Sequence, residues 1–357
     1  RANMKQAFVS SALSLVVIVG FILVGGFNVV DIWVRGLGLP EVPTGLVFFG
    51  VLFVASDLLS LPFSLYHTFV IEEQFGFNKM TWKTFVADKI KGYVLVAILG
   101  SVMLSGILFF FEEMGELAWL YAWGIMSLFT VALPPIFTTF IAPLFNDFKP
   151  LEDGELKEAL DGLAAKTDFP LTGVYVMDGS KRSAHSNAYF SGFGKRKRIA
   201  LFDTLVEQHS TDELVAILAH EIGHYKKKHI IKGTVFAIAQ IGVLFWLLSF
   251  FINNPDLFAA FQMEQISTYA GLTFFSLLYS PVSFCLSIVQ SYISRKNEYE
   301  ADAFAAATVG TPNPLIDGLK RLSVKNLGNL TPHPLTVFLS YSHPTVLQRV
   351  ARLQAGG

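Results

Sequence analysis

The chain has 357 residues, of which 52% are hydrophobic and 15% charged, and its mean hydropathy is +0.50. Soluble domains carry about 25% charged residues, so this composition reads as an integral membrane protein. A net charge of −1 gives no case for nucleic-acid binding. The single cysteine, Cys285, excludes a disulfide framework within the chain, so any metal site must draw on histidine and carboxylate ligands.

Six apolar stretches, near 7–27, 45–67, 93–111, 119–141, 233–252 and 270–292, reach the roughly 20 residues that a membrane crossing needs. None contains Lys or Arg. If all six cross, segments 28–44, 112–118 and 253–269 share one side and hold a single basic residue, Arg35. The other side holds the remaining 26 of the 27 Lys and Arg. Positive loops stay cytoplasmic, so both ends are expected inside. Buried helices of a soluble protein do not explain this alternation. The chain then divides into four spans within 1–141, a cytoplasmic region 142–232, two spans within 233–292, and a cytoplasmic part 293–357.

Within 142–232, Glu155–Lys166 reads as an amphipathic helix and Val174–Met177 as a strand. Asn187–Phe190 and Arg198–Phe202 read as two more strands, joined by the turn Ser191–Gly194 and the basic run Lys195–Arg198. Ser210–Glu213 spells a capping box. It opens a helix expected to carry His220 and His224 and to run on towards the fifth span.

His220, Glu221 and His224 form an HExxH sequence. Positions i and i+4 share one helix face, so two imidazoles can grip one metal, with Glu221 placed to take a proton from water there. A chance match in a chain with eight histidines is on the order of one in a hundred, and context must decide. The flanks Leu214, Val215, Ile217, Leu218 and Ile222 make a dry face. A catalytic zinc takes three protein ligands, and Glu298 is the candidate third. Asp302, one turn further, could hold a ligand histidine by its other nitrogen. Glu300 is expected to face away, solvated. A solvated acidic face after a membrane span is the competing reading, and charge spacing leaves both open. An unpaired Asn187–Phe190 edge could hold an extended peptide as an added strand, against the alternative of an ordinary sheet edge. His67, His185, His209 and His229 read as local hydrogen-bonding or solvated residues, and Lys226–Lys228 as an interfacial mark that would contact anionic lipid.

FVIEEQFGFN, IAPLFNDFKPL, GSKRSAHSNAYFSGF, RIALFDTL, AHEIGHYKKKH, SRKNEYEADAFA and YSHP, in this order within about Leu46 to Leu353, together resemble the CAAX prenyl protease 1 family of zinc membrane endopeptidases. The resemblance implies an all-α integral membrane protein enclosing a chamber, with a small cytoplasmic α+β metalloprotease domain. It implies one Zn2+ per chain on His220, His224 and Glu298, Glu221 as catalytic base, and Asp302 behind a ligand. It places His343 facing the active site and Asn187, with Tyr189 beside it, on the strand that holds substrate. Arg349 lies in the same tail without an assigned role. The family has seven membrane helices where six are counted here, so the seventh is expected before Arg1. Missing eukaryotic insertions favour a bacterial member in an inner membrane, the endoplasmic reticulum membrane being the eukaryotic counterpart. The implied substrate is a C-terminally prenylated CAAX peptide, cut before its last three residues. Two alternatives stay open: a broad HtpX-like quality-control protease, and a transporter or receptor whose zinc is structural.

Overall fold

The computed structural model describes residues 2–191 and 197–356. Most of the expected turn and basic run between the last two strands, residues 192–196, lies outside the described residues. The chain separates into two compact units, one of residues 1–131 and 236–280, the other of residues 132–235 and 281–357.

Among the described residues, five helices are long and apolar enough to cross a membrane: Ala2–Leu23, Glu41–Glu72, Trp82–Glu113, Gly115–Phe145 and His229–Phe251. They coincide with the first five apolar stretches. Between 0% and 17% of each apolar window is buried, so their side chains face outward, as lipid contact requires of a spanning helix. The sixth stretch is a correction to the expected single helix. Thr268–Leu278 and Ser280–Val309 are interrupted at Tyr279 and pass as one span only as a bent pair. Pro281 has no N–H to donate to the carbonyl of Leu277, so a continuous helix would leave that carbonyl without its partner. That carbonyl instead accepts from Ser280 Oγ at 2.8 Å.

In the first unit, aromatic side chains build the interior: Phe27, Phe48, Phe258, Phe261, Tyr269 and Phe274 form one buried cluster. The polar group Asp57, placed in a span by sequence, is satisfied within the bundle. Lys89 Nζ lies 2.7 Å from its Oδ1 and the Tyr93 hydroxyl donates to Oδ2 at 2.5 Å, as an intramembrane carboxylate requires.

The second unit carries a four-stranded sheet: β1 (Phe148–Pro150), β2 (Leu171–Met177), β3 (Ala188–Ser191) and β4 (Lys197–Phe202), in the order β1-β2-β4-β3. β2 and β4 run parallel, with Val174 opposite Ile199, and β3 pairs antiparallel with β4. β3 is therefore an edge strand. β1 escapes the sequence reading because three residues ending in proline show no alternation. Ile199 and Leu201 from the sheet meet Leu160 and Leu163 of the Glu155–Lys166 helix. They join Leu218 and Ile222 of the HExxH helix and Leu315 of Asn313–Lys325 in one core.

The HExxH helix, Thr211–Lys226, does not run on into the membrane helix as expected. Lys228 adopts a left-handed backbone (φ 58°), its N–H bonds Tyr225 O at 3.0 Å, and a new helix starts at His229. This is a helix-ending geometry usually left to glycine or asparagine.

Candidate metal centre

The helix that carries His220 and His224 is fixed at both ends. At its start, Ser210 Oγ accepts from Glu213 N and the Glu213 carboxylate accepts from Ser210 N, the capping box expected from sequence. Glu213 also accepts from Arg321 Nε at 3.1 Å, so the cap is tied to the helix Asn313–Lys325. Near its end, Gly223 packs against the helix Ser280–Val309: a Cβ there would lie 3.1 Å from Ala301 Cα and 3.2 Å from Ala301 O. That close approach puts Glu298 opposite the two histidines.

The three donor groups converge. His220 Nε2 and His224 Nε2 are 3.1 Å apart, and Glu298 lies 3.4 Å from the first through Oε2 and 3.2 Å from the second through Oε1. One ligand atom from each residue falls within 4.8 Å of the others. Glu298 Oε2 is buried and makes no hydrogen bond, although Arg349 Nη1 is 3.3 Å away. Two imidazole nitrogens facing each other and an orphaned buried carboxylate oxygen are the features that a shared cation resolves. A His2Glu set with room beside it fits catalytic zinc.

Each histidine is gripped by its other nitrogen. His220 Nδ1 lies 2.8 Å from Asp302 Oδ1, as expected of Asp302. Arg349 holds that carboxylate and also comes within 3.3 Å of His220 Nδ1. Sequence left Arg349 without a role because nothing local links it to a ligand 129 residues away. Burial disfavours a charged His220 ring, yet hydrogen bonds with Asp302 and Glu298 outweigh it and raise the ring above its ordinary value. His224 Nδ1 meets His229 Nδ1 at 3.1 Å, and His229 Nε2 reaches Glu300 Oε2 at 3.2 Å. Glu300, expected to face away and solvated, keeps 37% of its side chain exposed but has a partner: the turn at Lys228 returns His229 to it.

A cavity of about 400 Å3 opens on these donors. Glu221, His343, Asn187 and Arg349 line its polar part, with Ile217, Leu319 and Leu322 on the apolar side. Burial raises the Glu221 carboxyl, with the His220 and His224 rings opposing. His343 Nε2 is 3.4 Å from Glu298 Oε1, its side chain is largely exposed, and its Nδ1 meets Ser342 Oγ at 2.9 Å. Arg295 Nη1 donates to the carbonyls of Val337 and Tyr341 at 3.1 and 2.6 Å, which ties the segment leading to His343 to the helix of Glu298. Asn187 is exposed beside β3, and its carbonyl accepts from Phe202 N at 3.0 Å. For Tyr189 only the backbone is described, paired with Ala200 in β3.

Two further histidines of this unit have local partners. His209 Nδ1 contacts Leu205 O, and His185 Nδ1 contacts Asn326 Oδ1 at 3.1 Å.

Comparison with known proteins is consistent across both units. Residues 1–147 match the family model described as CAAX prenyl protease N-terminal, five membrane helices, and residues 150–356 match peptidase family M48. The chain is 39% identical to the CAAX prenyl protease 1 homolog of Oryza sativa, over 88% of this chain and 74% of that protein. It is 38% identical to CAAX prenyl protease 1 of Saccharomyces cerevisiae, over 88% and 73%. The crystal structure of S. mikatae Ste24p superposes with a TM-score of 0.94 at 36% identity, covering 99% of this chain and 86% of that one. With sequence, fold and a convergent His2Glu donor set in agreement, the chain belongs to the CAAX prenyl protease 1 family, the multi-pass membrane zinc metalloproteases of peptidase family M48.

Proposed function

We propose that this chain binds one zinc ion on His220, His224 and Glu298 and cleaves C-terminally prenylated CAAX peptides before their last three residues. The observation that carries the reading is the convergence of these donors within 4.8 Å, at a cavity that Glu221 also lines. The names of the relatives supply the substrate class.

Zinc, when bound, acidifies water and polarises a scissile carbonyl. Glu221 takes the proton from the attacking water and delivers it to the leaving amine, and its burial-raised carboxyl suits a group that must hold a proton in mid-reaction. His343, largely exposed at the cavity, donates a hydrogen bond to the developing oxyanion. Asn187 and the free edge of β3 hold the peptide extended by strand addition. Asp302 and Arg349 keep the His220 ring turned with Nε2 towards the donors. The catalytic unit faces the cytoplasm, with 26 of the 27 basic residues on its side. Membrane lipid holds the prenyl chain while the peptide reaches the cavity.

Purified protein is assayed on a farnesylated peptide and its unprenylated twin, with and without a chelator. Cleavage of the farnesylated peptide before the last three residues, abolished by the chelator, is expected. Equal cleavage of both peptides would favour the broad protease. Cleavage of neither would favour a structural metal.

A further inference from the structure

The two histidines of the donor set are held differently. Behind His220 stands a carboxylate, Asp302. Behind His224 stands a second imidazole, His229, whose Nδ1 is 3.1 Å from His224 Nδ1. His229 is only 5% exposed. Its ring stands at 76° to that of His224, with centroids 5.1 Å apart. On its far side, Nε2 lies 3.2 Å from Glu300 Oε2.

Proton positions follow from the contacts. A histidine that gives Nε2 to a metal keeps its proton on Nδ1 and donates it to a neighbour. Two Nδ1 atoms at 3.1 Å have room for one proton between them, so His229 Nδ1 must accept. A neutral His229 then carries its own proton on Nε2, where Glu300 Oε2 accepts it. With His224 Nε2 given to the metal, every ring nitrogen of the two histidines has a partner, and the sense is fixed from the carboxylate inward. The backbone is arranged for this contact. Lys228, a residue with a Cβ, takes a left-handed φ of 58°, and the chain turns so that the first residue of the next helix faces back to His224. A buried imidazole that served only as packing would need neither that turn nor a nitrogen aimed at the ligand ring.

We propose that His229 and Glu300 form a relay that positions His224: Glu300 fixes the His229 tautomer, and His229 Nδ1 accepts the His224 Nδ1–H, holding Nε2 on the metal. Both are positioning residues, acting through His224. The proposal rests on the ligand set assigned above. Because His229 belongs to the first turn of a membrane-spanning helix and Glu300 to the helix of Glu298, the relay also makes metal affinity depend on where the membrane helix begins.

The test is zinc affinity, measured on full-length protein in detergent by competition with a chromophoric chelator, alongside thermal unfolding of the metal-free forms. His229→Leu should weaken zinc on the order of 10- to 100-fold while the metal-free protein keeps its fold. His229→Gln, whose Oε1 can accept the same proton, should recover most of the loss. Glu300→Ala should lose less than His229→Leu, since water can take the Nε2 proton but no longer fixes the tautomer. The visible spectrum of the Co2+-loaded protein should change in His229→Leu and return towards the parent in His229→Gln. Parental affinity in a folded His229→Leu protein would overturn the relay. If His229→Leu does not fold, parental affinity and an unchanged Co2+ spectrum in Glu300→Ala would overturn it instead. His224→Ala separates the two levels: parental zinc affinity there would mean that the ligand set itself is wrong, whatever His229 does.

Discussion

The Arg349 guanidinium grips Asp302 with two parallel hydrogen bonds, Nε to Oδ2 at 2.8 Å and Nη2 to Oδ1 at 2.6 Å. Both residues are buried, and the same carboxylate holds His220 Nδ1. The pair is thus a brace for the ring, and its loss is asymmetric. Arg349→Ala leaves Asp302 as an uncompensated buried charge, which costs about 3–5 kcal/mol. Arg349→Lys keeps the charge but not the planar fork. Thermal unfolding should show a large loss in the alanine variant and a smaller one in the lysine variant, with weakened zinc binding in both. Wild-type stability in Arg349→Ala would rule out the brace.

Glu221 lies next to a ligand without being one. Glu221→Gln should retain a full equivalent of zinc and lose about 10^2- to 10^4-fold in cleavage rate, the usual contribution of a general base. Metal analysis and single-turnover kinetics on one preparation decide it, and retained turnover would remove Glu221 from the mechanism.

Gly223 is the point of closest approach between the HExxH helix and the helix of Glu298. Alanine there gains about 1 kcal/mol of helix propensity. Its Cβ, however, would meet the backbone of Ala301 at 3.1–3.2 Å, and overpacking against backbone costs about 1–3 kcal/mol. The steric cost should win. Gly223→Ala is expected to lower thermal stability and weaken zinc binding together, because separating the helices moves Glu298 from the histidines.

The cap offers the contrasting case. Ser210→Ala removes the side-chain acceptor of the Glu213 N–H and should cost about 1 kcal/mol. Zinc affinity should stay at the parental value, since the donors lie more than two turns away. Chelator competition on the variant checks this, and a clear fall in affinity would mean that the helix start controls the site.

Protons and metal compete for His220. In the metal-free protein its ring is raised above the ordinary 6.5: burial lowers it, but the hydrogen bonds with Asp302 and Glu298 prevail. A raised value means that protonation stabilises the metal-free fold. That contribution is complete below 6.5 and disappears as pH rises through the raised value. Zinc requires the neutral ring, so its affinity runs the other way and falls as pH drops through the same window. Melting curves across this range should show the gap between zinc-loaded and chelated protein narrowing towards acid pH. A constant gap would contradict the assignment.

Much of the fold was legible because its signals are local. Twenty apolar residues in a row report a span wherever the rest of the chain lies, and the first five stretches became continuous helices. The Ser210–Glu213 box and the Glu155–Lys166 helix follow from spacing of the same kind. The sixth span was legible as an apolar run, but its bend was not, because hydropathy does not report the N–H that Pro281 lacks. The run from His224 into the fifth span was misread because a lysine at positive φ has no composition signal.

The sequence alone determined that this is a membrane chain bearing two histidines on one helix face, since hydropathy and the 3.6-residue period are properties of neighbouring residues. Sequence nominated Glu298 and Asp302, but only tertiary structure decided how they meet those histidines and which further groups join them. Glu298 faces them because Gly223 lets two helices touch, Arg349 reaches Asp302 across 47 residues, and His229 turns back to His224 through one left-handed residue. These contacts depend on side-chain volume and backbone direction far along the chain, which no local pattern encodes.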